Sequence, residues 1–222
     1  MKKLLPLLCA CAALLAIGAG SASAATIVNG DFESGDTSGW TIVHDSGGAG
    51  SWTTYDQADT AGDVGLNAPY GQSSALSMQY EISDAAMYQD VALAPGESHV
   101  LNLNYWVKNY QPAWLTPDPE SFDVETAAGA IQTARIDVIK PTADPLSADP
   151  ADVLATVFKP QVGSPLQLPW TAGSADLSAF AGQTVRLRAL FSVTQNAISL
   201  GLDNVSITSK DNVAPVTSRG SV

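Results

Sequence analysis

Cysteine is nearly absent: the chain holds two, Cys9 and Cys11, and both lie in the first apolar stretch. That stretch begins with Lys2 and Lys3, runs apolar from Leu4 to Gly18 and reaches Ala22-Ser23-Ala24. These are the charged, apolar and small-residue parts of an export signal, and the apolar part is too short to span a membrane comfortably. Cleavage is expected after Ala24, leaving a mature chain with no cysteine, hence no disulfide and no thiolate metal site. Histidine is almost as scarce, with His44 and His99 far apart in sequence, so a zinc site is not expected. Basic residues are few, 10 against 22 acidic ones, for a formal charge of −12. Without Lys2 and Lys3 the balance is 8 against 22, a formal charge of −14. A field of that sign repels phosphate backbones and anionic lipid, and there is no basic stripe, so nucleic acid is excluded as a partner. No second long apolar run follows, so no transmembrane anchor is expected. Long helical periodicity is missing as well.

What is present is alternation. In 99–107, Leu101, Leu103, Tyr105 and Val107 share one face, while Val100, Asn102, Asn104 and Trp106 share the other. In 184–193, Val185, Leu187, Ala189, Phe191 and Val193 alternate with Arg186, Arg188, Leu190 and Ser192. In 133–139, Ala134, Ile136 and Val138 alternate with Arg135, Asp137 and Ile139. One apolar and one polar face is the pattern of an antiparallel sandwich sheet. Further strands are expected at 26–29, 40–44, 51–55, 75–81, 87–93 and 197–208, roughly nine in all, enough for two packed sheets. Asp149-Pro150 reads as the start of a short helix over 152–158, and 176–180 as a single helical turn. The segment 109–131 is rich in proline and acid and reads as a long loop, of the kind that often carries function. The expected organisation is a signal peptide at 1–24, one all-β domain at 25–209 and a flexible tail at 210–222.

Three stretches carry a family resemblance. Asn29-Gly30-Asp31-Phe32-Glu33-Ser34-Gly35, followed by Ser38-Gly39-Trp40, opens the mature chain. Asp176-Leu177-Ser178-Ala179-Phe180-Ala181-Gly182-Gln183-Thr184-Val185-Arg186-Leu187-Arg188 comes late, and Leu202-Asp203-Asn204-Val205 closes the domain. Together they resemble the galactose-binding-like jelly rolls of secreted bacterial proteins, a group that includes carbohydrate-binding modules. The resemblance implies an all-β, antiparallel two-sheet jelly-roll β-sandwich. It also implies that the opening and closing motifs meet around a structural calcium, with Glu33 and Asp203 as side-chain ligands and Asp31 and the Asn29 carbonyl as additions. The same residues would otherwise cap turns or accept backbone hydrogen bonds. Calcium takes six to eight oxygens, and clamping the first strand to the last suits a domain without disulfides.

In such modules a polar sheet face binds glycans. Trp106 would be the aromatic plate, with Tyr110 and Trp114 reaching in from the long loop. Asn104, Arg135, Asp137 and Arg188 would meet sugar hydroxyls. The alternative is that Arg135, Asp137 and the two arginines of 184–193 form a structural salt-bridge layer under a covering loop, with Trp106 as packing. Trp40 and Trp52 read as core. No catalytic constellation stands out. Glu120, Asp123 and Glu125 resemble the carboxylate strand of laminarinase-type glycosidases, but only Asp123 and Glu125 would share a face, and the run sits among prolines. The expected role is a non-catalytic carbohydrate-binding module; the alternatives are a structural or adhesive envelope protein with no sugar site and, third, a glycoside hydrolase.

Overall fold

The computed structural model describes residues 25–44, 50–56, 71–78, 82–116, 121–124 and 129–212. The expected signal peptide, Glu120 and Glu125, and all of the tail after Asn212 lie outside the described residues. Ten strands run in chain order: β1 (Thr41–His44), β2 (Ser51–Asp56), β3 (Ser73–Met78), β4 (Ser83–Ala92), β5 (Glu97–Asn109), β6 (Gln132–Ile139), β7 (Val153–Phe158), β8 (Gln167–Asp176), β9 (Thr184–Val193) and β10 (Ile198–Asp211).

They form two five-stranded sheets, ordered β1-β4-β9-β6-β7 and β2-β3-β10-β5-β8. Every neighbouring pair is antiparallel. Strands β3 to β10 alone trace the eight-stranded double Greek key of a jelly roll, and β1 and β2 each lengthen one sheet by an edge strand. The expected fold class is the observed one. The central strands of the two sheets are β9 and β10.

The alternation that specified the strands also specifies the core. Leu101, Leu103, Tyr105 and Val107 of β5 and Leu200 and Leu202 of β10 pack against Ile136 and Val138 of β6 and Leu187, Ala189 and Phe191 of β9. Trp40 and Trp52 join this core as expected. Desolvation there raises the pKa of Tyr105.

Three elements differ from the sequence-based expectation. Pro150–Asp152 does start a turn, a 3₁₀ turn whose Asp149 side chain accepts from the Ala151 amide. The following residues then run extended as β7 instead of helical, because Val153, Thr156 and Val157 are β-branched and β6 offers an unpaired edge. Residues 26–29 form no strand. Strand β8 was hidden by Pro165, Pro169 and Gly173, and it is an edge strand, where proline is tolerated. The single turn near 176–180 is a 3₁₀ turn at Ser178–Phe180.

Candidate functional site

The residues proposed for a single sugar site fall on the two opposite outer faces of the sandwich. Arg135, Asp137 and Arg188 sit on β6 and β9, outside the first sheet. Asn104 and Trp106 sit on β5, outside the second. Two sheets and the core between them separate the sets.

The outer face of the first sheet is a closed ionic layer. Asp137 pairs in register with Arg188. Its Oδ2 accepts from Arg188 Nη2 at 3.1 Å, and its Oδ1 accepts from Arg135 Nη2 and from the Thr156 hydroxyl, both at 2.9 Å. Arg188 Nη1 donates to the carbonyls of Pro145 and Ser147 at 2.8 and 2.7 Å. Next along the strand, Arg186 grips both oxygens of Asp90, at 2.6 and 2.9 Å, and stacks on Tyr88. The hydrogen bond to Asp90 raises the pKa of Arg186 above its ordinary value. Phe122 closes the layer: its ring stacks on both the Arg135 and Arg188 guanidinium groups, and its carbonyl accepts from the Ser192 hydroxyl at 2.9 Å. Arg135 is 3 % exposed, and Asp137 and Arg188 are at 0 %. These three residues are therefore the structural layer under a covering loop, with their hydrogen bonds directed at the protein itself. A recess of about 320 Å³ lies above them, lined by Asp123, Asp144, Leu146 and Ser147. Its Asp144 carboxylate already accepts from the Leu146 amide.

Trp114 is also removed from the expected site. It is 1 % exposed, its indole edge meets Phe158 in the core, and its Nε1 donates to the Pro165 carbonyl.

The outer face of the second sheet is different. Gly201 of β10 pairs with Leu76 of β3 on one side and Trp106 of β5 on the other. Leu76 and Trp106 form a cluster with the half-buried Tyr55 of β2 and Trp170 of β8. One residue pair along, Asp203 faces Asn104, and Ser74 pairs with Tyr55. Trp106 is only 4 % exposed, so it is the floor of this cluster and not an open plate. Trp170 is the aromatic ring that reaches the surface. Three polar groups here lack partners. The Nε1 of Trp170 and the Oγ of Ser74 are buried and unbonded, and the Asn104 amide makes no hydrogen bond among the described residues. Trp52 Nε1 is also unbonded, but it lies in the core against Phe191, out of reach of any ligand. Tyr110 follows the last residue of β5, with Lys108 Nζ 4.5 Å from its ring centre. Alternation pointed to Asn104 and Trp106; Tyr55, Ser74, Leu76, Trp170 and Gly201 were missed. Tyr55, Leu76 and Gly201 lie on strands recognised in sequence, so their alternation was the available signal.

The residues expected around calcium divide in the same manner. The opening and closing motifs do meet, since the Val205 amide donates to the Gly30 carbonyl at 2.8 Å. Glu33 Oε1 accepts from the amides of Gln72 and Ser73, at the start of β3. Asp203 follows Leu202, which pairs with Ala75 of the same strand. Glu33 and Asp203 thus reach one corner of the sheet. Asp203 is fully buried and accepts from the Asn204 amide through Oδ1. The other two belong to the opening turn. The Asn29 carbonyl accepts from Trp40 Nε1 at 3.1 Å, the Asn29 amide donates to the carbonyls of Asp36 and Ser38, and Asp31 Oδ1 accepts from the Glu33 amide. Among the described residues no three Asp, Glu, His or Cys side chains gather in metal-binding geometry. Glu33 and Asp203 each accept backbone amide hydrogen bonds here.

No protein-family model and no curated protein matches the sequence. Among solved structures the chain is similar to TmCBM61 in complex with β-1,4-galactotriose, at 12 % identity and a TM-score of 0.49, over 83 % of this chain and 99 % of that one. It is similar to the K3 cleaved adhesin domain of Lys-gingipain from Porphyromonas gingivalis, at 16 % identity and 0.49, over 82 % and 99 %. It is also similar to a cyclase from Fischerella sp. TAU, at 16 % identity and 0.49, over 86 % and 100 %.

Proposed function

We propose that this chain is an exported, non-catalytic binding module that takes a carbohydrate on the outer face of the β2-β3-β10-β5-β8 sheet. One observation carries the reading: among the described residues, that face sets the half-buried rings of Trp170 and Tyr55 beside the Asn104 amide. A sugar ring offers an apolar C–H face to stack on an aromatic and a rim of hydroxyls to pair with donors and acceptors. Trp170 and Tyr55 supply the rings. The Asn104 amide supplies a polar contact, and Tyr110 flanks the rings. On the opposite face the arginines are engaged by Asp137, Asp90 and loop carbonyls.

The reading includes one structural calcium ion held by Glu33 and Asp203. What supports it is the convergence of an exposed and a fully buried carboxylate on one corner. A bound calcium there would neutralise the two carboxylates and tie the opening turn to β10.

The test is affinity electrophoresis of residues 25–222 through gels carrying galactan, xylan, mannan, β-1,3-glucan or cellulose derivatives, in calcium and in EDTA. The expected result is retardation by one polysaccharide class that Trp170→Ala abolishes while the circular dichroism spectrum is unchanged. A folded protein retarded by none of them overturns the reading, and a structural or adhesive role then takes its place.

A further inference from the structure

Gly201 lies in the stretch of β10, the central strand of its sheet, that is paired on both sides, where glycine weakens a strand unless something needs the space. A Cβ built on Gly201 would stand 2.9 Å from Trp170 Cη2 and 3.3 Å from Cζ2. It would stand 3.4 Å from the Trp106 Cβ, an ordinary contact. The space left open at Gly201 is therefore filled by Trp170, whose indole starts on β8, passes β5 and ends over β10. The atoms over Gly201 belong to the same indole edge as Nε1, and that nitrogen is buried without a partner. One side of the ring is thus seated on the sheet.

We infer that Gly201 is a positioning residue for the carbohydrate site: its missing side chain is the seat that fixes the height and tilt of the Trp170 indole. This rests on the carbohydrate reading for its consequence, though the seating itself can be tested without a sugar. An added methyl group must lift the outer rim of that ring, and the rim is the far end of a side chain with two rotatable bonds, so the fold absorbs the change while the platform moves. A stacking surface that is displaced or tilted loses its contact with the sugar face, which is sensitive to geometry.

The experiment compares wild type, Gly201→Ala, Trp170→Ala, Trp170→Phe and the Gly201→Ala/Trp170→Phe double variant. The phenyl ring of Trp170→Phe is too short to reach Gly201. In the absence of sugar, the indole ¹H–¹⁵N resonance of Trp170, assigned as the peak missing from Trp170→Phe, is expected to shift in Gly201→Ala while the backbone spectrum far from β10 stays in place. Against whichever of the five polysaccharides retards the wild type, Gly201→Ala is expected to bind about tenfold more weakly, the scale of one aromatic contact. In the Trp170→Phe background the same change should alter binding by less than about twofold, since the coupled partner is gone. An unmoved indole resonance, or an equal loss in both backgrounds, overturns the inference. If Trp170→Ala leaves binding intact, the carbohydrate reading itself fails, whatever Gly201→Ala does to the resonance.

Discussion

Asp137 and Arg188, on neighbouring strands β6 and β9, face each other in register and join at 3.1 Å with both side chains shut off from solvent. The carboxylate also serves Arg135, so one acid holds two guanidinium groups beneath Phe122. Removing one partner of a buried pair strands the other, at a cost of about 3–5 kcal/mol. Asp137→Asn is therefore expected to lower the unfolding free energy by about that amount, as read from the urea midpoint at unchanged m-value. A loss under about 1 kcal/mol would mean that the layer is not an ionic unit.

Phe122 is expected to matter for stability alone. Its ring packs on Ala86 and Leu190 and against two guanidinium groups. Truncation to alanine should cost about 3–5 kcal/mol, measured by thermal unfolding. Polysaccharide retardation of the folded variant should match the wild type, because the proposed site is on the other side of the sandwich. Loss of binding with the fold intact would move the site to the arginine face.

Trp106 and Trp170 should separate by the nature of their defects. Trp106 is packed beneath the cluster, so Trp106→Ala is expected to cost about 3–5 kcal/mol of stability and to impair binding only through that damage. Trp170 sits on an edge strand and reaches the surface, so its alanine variant should melt close to the wild type while binding disappears. Paired melting and affinity-gel measurements decide this, and the opposite partition would make Trp106 the plate.

The Asp36 carboxyl is held below its ordinary value of 3.8 by the hydroxyls of Ser38 and Ser34 and by the Ser38 amide. A carboxylate with a depressed pKa in the folded state contributes fully above the unfolded value, and the contribution fades as pH falls through the lower, folded one. The opening turn should therefore stay ordered at neutral pH and loosen in strong acid. Carboxyl ¹³C titration is expected to place the Asp36 midpoint below 3.8. Ser38→Ala should bring that midpoint back toward the ordinary value, and a midpoint at or above it in the wild type would contradict the turn geometry.

Calcium should appear as a change in melting temperature. A ligand bound only by the folded chain at a hundred times its dissociation constant adds about 2.7 kcal/mol. A rise in Tm on adding calcium, lost in EDTA and in Glu33→Gln/Asp203→Asn, is the expected outcome. Identical melting curves with and without the ion would reduce Glu33 and Asp203 to turn and backbone acceptors.

The alternation in 99–107, 133–139 and 184–193 made β5, β6 and β9 legible, because a strand with one buried face must write a period of two into its sequence. It could not say that Trp106 and Arg188 point away from each other. Both lie on the outward side of their own strand, and which sheet a strand joins depends on pairing partners distant in sequence. The covering role of Phe122 was equally hidden, since nothing local marks one phenylalanine of a proline-rich loop as the plug over two arginines. Trp170 was obscured for a different reason. Pro169 beside it argues against a strand, and only the edge position of β8 removes that objection.

The two strands at the centres of the sheets, β9 and β10, are the last two in chain order. Until they are available, β4 and β6 have no common neighbour, nor do β3 and β5, and each future sheet is two fragments with open inner edges. A chain cut short before Thr184 cannot close either sheet, and pairings this distant in sequence form slowly. Folding is thereby deferred until nearly the whole domain has been made.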